Sequence, residues 1–313
     1  MKKINKKEYK ELFEKADFKT LFHNPEWHEF LEKEFKWLKF EYYLYKDELL
    51  LSFGRIGDKL VSLPFCEYGG PLPLKEKVDF EKFKKEVLDD FKNFKIKFHP
   101  KVLTGESDMS TYWIDLKNKS EQELLSSFRK TLRHSIRNAQ GKSLEVKKCF
   151  DLDELKEFYG LCVANMKRRK TVPYPFSVVK FLYNSPDTEL RLAFYKGKII
   201  AGDLFLNYGK FVHYFLGATD YKYLNLGANY FILWEKIRSL LGKDVIFDLG
   251  AAPKSSQLET FKRGWRGKEY PILHLGIKRS EESLRSSKLR NIWKLLPNFV
   301  IKLISPYFIK YRI

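Results

Sequence analysis

The stretch FVHYFLGATDYKYLNLGANYFILWEKIRSLLGKDVIFDLGAAPKSSQLETFKRGW, residues 211–265, decides the fold. Its first eight residues are apolar, aromatic or β-branched and end at Gly217-Ala218, the pattern of a strand. A loop leads to Gly227, and residues 228–241 then repeat apolar side chains at helical spacing. Residues 245–248 read as a buried strand ending at Asp248. A Gly/Ala/Pro/Ser loop follows and enters a short helix, 258–264, that carries Phe261 and Lys262. A helix that starts just after a glycine is a natural anion seat, because its first N–H groups point outward unpaired.

Working outward, residues 190–195, 199–206 and 211–218 make a three-strand meander with turns at Lys196-Gly197-Lys198 and Tyr208-Gly209-Lys210. A helix over 153–169 precedes it, with Leu155, Phe158, Tyr159, Cys162 and Met166 on one side. Its basic end at 167–170 suits a helix C-terminus, and Pro173 and Pro175 forbid continuation. The same order occurs nearer the N-terminus. Asn24 caps and Pro25 starts a helix bearing Trp27, Phe30, Leu31 and Phe35. Strands 40–45, 49–53 and 60–63 follow, then a helix over 78–94 and strands at Phe98 and 111–116. Lys46 and Lys196 fall at equivalent hairpin turns, 150 residues apart (196 − 46). Between the halves, Ser120 and Glu123 form a capping box for a helix ending at Gly141. Its polar face carries Arg129, Lys130, Arg133, His134 and Arg137. The economical reading is a duplicated α+β fold with mixed sheets; one single mixed sheet is the competitor. The expected divisions are an N-terminal domain at 1–118, a C-terminal domain with the active site at 119–282, and a basic apolar tail at 283–313.

Composition narrows the function. The 313 residues hold 59 Lys+Arg against 40 Asp+Glu, a formal charge of +19, with 27 Phe, 18 Tyr and 6 Trp. Such a field favours polyanions: RNA, nucleotide phosphates or an anionic membrane face. Three separated cysteines, Cys66, Cys149 and Cys162, offer no CxxC pair and no disulfide framework. The six histidines include no HExxH, so neither a metal nor another cofactor is expected. No apolar run reaches spanning length and no signal peptide is visible, so the expected location is the cytoplasm.

Four elements together resemble a known family: Asn24-Pro25-Glu26-Trp27; the run RKTLRHSIRNAQGKSLEV at 129–146; Phe247-Asp248-Leu249-Gly250; and Phe261-Lys262-Arg263-Gly264-Trp265. Their order and spacing are similar to the FemAB/FemX-like aminoacyl-transferases and their BioF2-like acetyltransferase relatives. The resemblance spans about residues 20–275. It implies two tandem GNAT-like domains, in agreement with the repeat, and amide-bond formation on a peptidoglycan-type cell-wall precursor. It also implies a donor. Acyl-CoA-using GNAT proteins carry Arg/Gln-x-x-Gly-x-Gly/Ala at the pyrophosphate loop, whereas residues 224–229 here read LNLGAN. FemAB-like enzymes share that departure and take their amino acid from aminoacyl-tRNA, a donor that a +19 protein would hold through its phosphates.

The chemistry would be aminolysis of an ester, helped most by a fixed positive charge at the developing oxyanion. By resemblance Lys262 is the catalytic candidate. Lys130, Arg133 and Arg137 form a basic row for acceptor phosphates. Tyr214, Gly227, Asn229, Asp248, Arg263 and Trp265 complete the expected substrate-binding set, with Asp248 orienting an amine or Lys262. Tyr174 could line the same cleft, and either His213 or Tyr214 faces the core. No Ser/His/Asp or Cys/His arrangement supports a covalent acyl-enzyme.

The tail is a feature of its own. Residues 283–313 contain no Asp or Glu, but seven Lys or Arg among many apolar and aromatic residues, divided by Pro297 and Pro306. That composition suits an anchor on the anionic inner face of the cell membrane, with packing on the domain or on another subunit as the alternative. No coiled-coil insertion is present, which suggests a compact monomer. Three functions stay open: aminoacyl-tRNA-dependent transfer to a lipid-linked envelope precursor, an acyl-CoA or acyl-carrier-dependent N-acyltransferase acting on a polysaccharide or lipid, and a catalytically silent membrane or RNA-binding module.

Overall fold

A computed structural model describes residues 1–16, 18–276, 293 and 295–312. The chain divides into two compact units. The first is Met1–Thr111 together with the chain from Tyr270; the second is Tyr112–Glu269 together with C-terminal residues up to Arg312. The division falls at 111/112, not at the expected 118/119, because the strand Met109–Asp115 lends its later residues to the second sheet.

Unit 1 contains β1 (Lys2–Ile4), α1 (Lys6–Lys15), α2 (Pro25–Glu34), β2 (Leu38–Tyr45), β3 (Leu49–Ile56), β4 (Lys59–Ser62), β5 (Leu72–Pro73), α3 (Phe80–Asp90) and β6 (Phe94–Lys97). The chain returns to it later with β14 (His274–Gly276). The strand order is β1-β2-β3-β4-β6-β14, and the β4–β6 pair is parallel. Helix α1 escapes the sequence reading because its surroundings are so charged. It forms because Asn5 and Glu8 make a capping box and Tyr9 and Phe13, four apart, bury one side.

Unit 2 contains β7 (Met109–Asp115), α4 (Glu121–Ser127), α5 (Lys130–Gln140), β8 (Glu145–Lys148), α6 (Leu152–Arg168), α7 (Phe176–Asn184) and β9 (Thr188–Tyr195). It continues through β10 (Lys198–Tyr208), β11 (Phe211–Thr219), α8 (Ala228–Arg238), β12 (Ile246–Pro253), α9 (Gln257–Gly264), β13 (Lys268–Pro271) and α10 (Asn298–Phe308). The strand order is β13-β7-β12-β11-β10-β9-β8. The repeat is plain. β2-β3-β4-α3-β6 and β9-β10-β11-α8-β12 are each a meander, a helix and a parallel return. Lys46 and Lys196 sit in the equivalent turns, at φ of 48° and 51°, and each precedes a second positive-φ residue. That is the signature of tight hairpin loops whose twist matches the strands.

Two helical layers sandwich the second sheet. A Cβ on Gly202 would strike Phe158 of α6, whereas the neighbouring Asp203 and the next-but-one Phe205 face Asn229 and Lys236 of α8. Successive strand residues point to opposite faces, so α6 covers one and α8 the other. The helix expected over 120–141 is two. Phe128 turns extended and buries its ring against Trp234 and Trp265, and the Arg129 N–H donates to the Gly264 carbonyl at 3.0 Å.

The described part of the tail packs on its unit, the alternative that the sequence kept beside a membrane anchor. Residues 283–292 and 294 lie outside the described residues. α10 packs on α6, with Ile301, Ser305 and Ile309 wholly buried. Pro306 does not divide it. It sits in the last turn, and the Lys302 carbonyl that a proline cannot serve accepts from the Ser305 hydroxyl at 3.2 Å. Among the described residues no helix is long and apolar enough to cross a membrane.

Candidate functional site

β11 and β12 pair in parallel only over Phe211–Ile246, Val212–Phe247 and His213–Asp248, and then part. Beyond that point β11 runs on to Thr219 and β12 to Pro253, so the sheet opens into a wedge. At the apex Asp248, fully buried, accepts from the Gly250 N–H at 2.9 Å and pairs with His213 Nδ1 at 2.7 Å. Asp248 therefore orients His213, which the sequence left open. The pair ties the last residues that the two strands share.

Lys262 is not a surface lysine. Only 3% exposed, it lies on α9 and donates from Nζ to the Ala251 carbonyl at 2.7 Å. Ala251 is three residues past the apex, so the ammonium is carried on the diverging part of β12. The short helix is held in turn by Glu259, which accepts from the Ser255 N–H at 2.6 Å and the Tyr112 hydroxyl at 3.1 Å. Arg263 faces Glu259 at 3.6 Å and Glu269 at 3.5 Å, an exposed ion-pair role. Trp265 is 1% exposed within the aromatic core against Phe128; it belongs to the packing, not to a cleft.

On the α8 face a buried polar cluster joins three residues. Asn229, in the first turn of α8, donates from Nδ2 to Asp203 Oδ1 at 2.8 Å and to the Tyr214 hydroxyl at 3.1 Å. Asn229 thus bridges the Tyr214 hydroxyl and the Asp203 carboxyl. Asp203 is fully buried and its Oδ2 has no hydrogen-bond partner. Burial pushes its carboxyl well above the usual range, and burial beside Asp203 raises Tyr214 as well. Glycine makes the cluster possible: a Cβ on Gly217 would stand 1.9 Å from the Tyr214 hydroxyl and 2.5 Å from Asp203 Oδ1. The far end of α8 is anchored too, by the buried Lys236 on Glu189 Oε2 at 2.9 Å. Sequence reasoning passed over Asp203. The available signal was a carboxylate in the middle of the apolar strand IIAGDLFL, a position that burial makes costly.

Gly227 precedes α8 in the left-handed region, at φ +71°, and no side chain caps the helix. A Cβ there would approach the Ser135 carbonyl of α5 to 3.3 Å. The expected basic row on α5 is broken. Lys130 and Arg137 are exposed, but Arg133 Nη1 donates to the carbonyls of Ser126 at 2.6 Å and Phe128 at 3.1 Å, closing the end of α4. Tyr174 stacks on Phe215, 5.6 Å between centroids.

Beside the start of α8 lies a cleft of about 850 Å³ lined by Lys142, Glu145, Lys147, Phe194, Tyr195, Lys196 and the loop residues Asn225 and Leu226, with Glu145 paired to Lys147 at 2.5 Å. Lys142 Nζ donates to the Asn225 carbonyl at 2.8 Å. Lys147 lies 5.5 Å from the Phe194 ring centre and Lys196 5.4 Å from that of Tyr195. None of these lysines was read as lining a cleft, because the strands and loops that gather them are far apart in sequence.

Comparison with known proteins agrees with this architecture. A family model described as an acetyltransferase (GNAT) domain matches residues 126–263, and one for the FemAB family matches residues 74–172. Among solved structures, FemX superposes with a TM-score of 0.59 at 14% identity, over 87% of this chain and 96% of its own. L-PGS from Bacillus licheniformis gives 0.57 at 13%, over 97% and 98%. The C-terminal domain of a putative lysylphosphatidylglycerol synthetase from Agrobacterium fabrum gives 0.53 at 14%, over 75% and 82%. No curated protein matches by sequence. The chain has a FemAB-like tandem GNAT fold and is an acyl or aminoacyl transferase.

Proposed function

We propose that the chain moves an aminoacyl group from aminoacyl-tRNA to an amine of a lipid-linked, peptidoglycan-type envelope precursor, in the cytoplasm. The observation that carries this reading is the lysine- and aromatic-lined cleft that runs to Asn225 and Leu226, just before the N-terminus of α8. The 3′ end of a tRNA is a single strand of phosphates and stacking bases. Lysines and aromatic rings along one groove are the groups that hold such a strand.

The amine attacks the ester carbonyl, the C–N bond forms, and the ribose oxygen leaves with the proton the amine gives up. Charge develops on the carbonyl oxygen in between. The Lys262 ammonium, held on the diverging part of β12, is the fixed positive charge available for it. The Asp203–Asn229 bond fixes the first turn of α8, whose N–H groups face the donor.

One observation favours a second reading, acyl transfer from acyl-CoA: a glycine-led, uncapped helix end also suits a pyrophosphate. The acceptor question has its own alternative. The names of the synthetase relatives place lysine on a phospholipid, so a lipid acceptor belongs to the same test.

The experiment is a transfer assay with a mixture of tRNAs charged with labelled amino acids, a lipid-linked amine acceptor or phosphatidylglycerol, and labelled acetyl-CoA in parallel. Label in the amine acceptor, abolished by RNase treatment of the donor, is the expected result. Transfer from acetyl-CoA instead moves the reading to the second donor. No transfer from either to any acceptor refutes both.

A further inference from the structure

We infer that the outward face of α10 is a docking surface for an anionic lipid bilayer. Eleven large hydrophobic side chains are exposed among the described residues, and five of them stand at every fourth position from 295 to 311. They are Leu295 (82% exposed), Phe299 (66%), Leu303 (69%), Tyr307 (72%) and Tyr311 (54%). Side chains four apart on a helix share one side, so Phe299, Leu303 and Tyr307 form a single outward stripe on α10. The opposite side is already used: Ile301, Ser305 and Ile309 are buried, and Lys302 Nζ sits 5.5 Å from the ring centre of Tyr159 on α6. The stripe is therefore not core that came loose. It is the unused side of a helix fixed to its unit.

Charge selects the occupant. Residues 283–313 carry seven Lys or Arg and no Asp or Glu. The cores of protein–protein interfaces are depleted in lysine, whereas interfacial helices on anionic lipid combine an apolar aromatic stripe with basic neighbours. Lys302, exposed on α10 though its ammonium reaches toward Tyr159, and Lys310, just past the end of α10, are the described lysines of the tail. A helix held flat against α6 can present its stripe only along the plane of a bilayer, at the depth of the headgroup boundary.

The consequence for the transferase unit is directional. α10 rests on α6, and α6 covers the sheet face opposite α8. On the transfer reading above, the lipid-linked acceptor comes from the α6 side and the polyanionic donor from the α8 side. Lipid binding itself is measured without donor or acceptor, so its failure and the failure of the transfer reading are distinguishable.

The test is co-sedimentation of the full chain with vesicles of phosphatidylcholine alone or mixed with phosphatidylglycerol, across a salt series. The variant combines Phe299→Ser, Leu303→Ser and Tyr307→Ser; a control combines Leu88→Ser and Phe150→Ser, exposed apolar residues elsewhere. Wild type and control are expected to pellet with the anionic vesicles, and the stripe variant to partition about 100-fold more weakly, from half-burial of three large side chains. Thermal melting shows that the variant is folded. Equal partitioning of variant and wild type, or no binding by wild type, overturns the inference. So does a dimer of the wild type that the stripe variant dissolves, because the face would then cover a second copy.

Discussion

Asp203→Asn isolates the electrostatic cost hidden behind α8. In the folded chain Asp203 is fully buried, with one oxygen on Asn229 and the other unpartnered. Burial raises its carboxyl above the value it has in the unfolded chain. The sign follows. Above the ordinary aspartate value of about 3.9 the unfolded chain releases this proton while the folded chain keeps it. The stability that Asp203 contributes is complete below that value and declines as pH rises toward the raised one. Inside that window the decline approaches about 1.4 kcal/mol per pH unit. Asparagine does not titrate, so the variant lacks the decline. It does leave an amide where Oδ2 had no partner, a cost of about 1–3 kcal/mol that is the same at every pH. The quantity to read is thus the difference between two urea-unfolding curves from about pH 5 to about pH 8, in which every other titrating group cancels. The variant should gain on wild type as pH rises, until the raised value is passed. Parallel curves would refute the reasoning, since they would mean that Asp203 ionises alike in both states.

Other predictions rest on separate parts of the molecule. Lys262→Met should lower transfer by about 100-fold or more with donor binding retained, which a single-turnover assay separates from a binding defect. Gly227→Ala should destabilise unit 2 by about 1–2 kcal/mol, because it forces a Cβ into φ +71° and against the Ser135 carbonyl; a shift in urea midpoint reads it. In unit 1, burial lowers His23 to about 4 and His28 to about 3. Neutral imidazoles are favoured by folding, so their stability is present above the unfolded value of about 6.5 and drains as pH falls, by up to about 1.4 kcal/mol per unit for each. His28→Gln removes one titration and should flatten the acid limb of the unfolding profile.

The duplicated fold was legible because its signals are local. Gly197 and Gly209 mark turns between alternating runs, Ser120 and Glu123 cap a helix, and Pro173 forbids one. These choices are made within a few residues, and the structure repeats them in β9, β10 and β11. The break at Phe128 was not legible for the opposite reason. Nothing in residues 120–141 stops a helix; the ring leaves it for Trp234 and Trp265, more than a hundred residues away, and the freed carbonyls are taken by Arg133. The boundary at 111/112 depends in the same way on which sheet accepts the strand β7.

The site divides along the same line. Gly227 and the helix it opens follow from spacing alone, and Lys262 was singled out by its resemblance to a family pattern. What spacing cannot supply is partnership. Asp248 was expected to orient an amine or Lys262; in the structure it pairs with His213 across the parallel register. Lys262 turns instead to the backbone of the departing strand. The wedge accounts for both. Up to Asp248 the two strands satisfy each other, and the carboxylate serves the strand beside it. Past Asp248 the pairing of β12 with β11 ends. The Lys262 ammonium donates to the Ala251 carbonyl at 2.7 Å, where the sheet opens. One contact thus ties α9 to the departing strand and, on the proposed transfer reading, fixes the charge that the reaction uses. Replacing the lysine should accordingly cost stability as well as rate, in contrast to the exposed Lys130, whose loss should leave the fold unmoved.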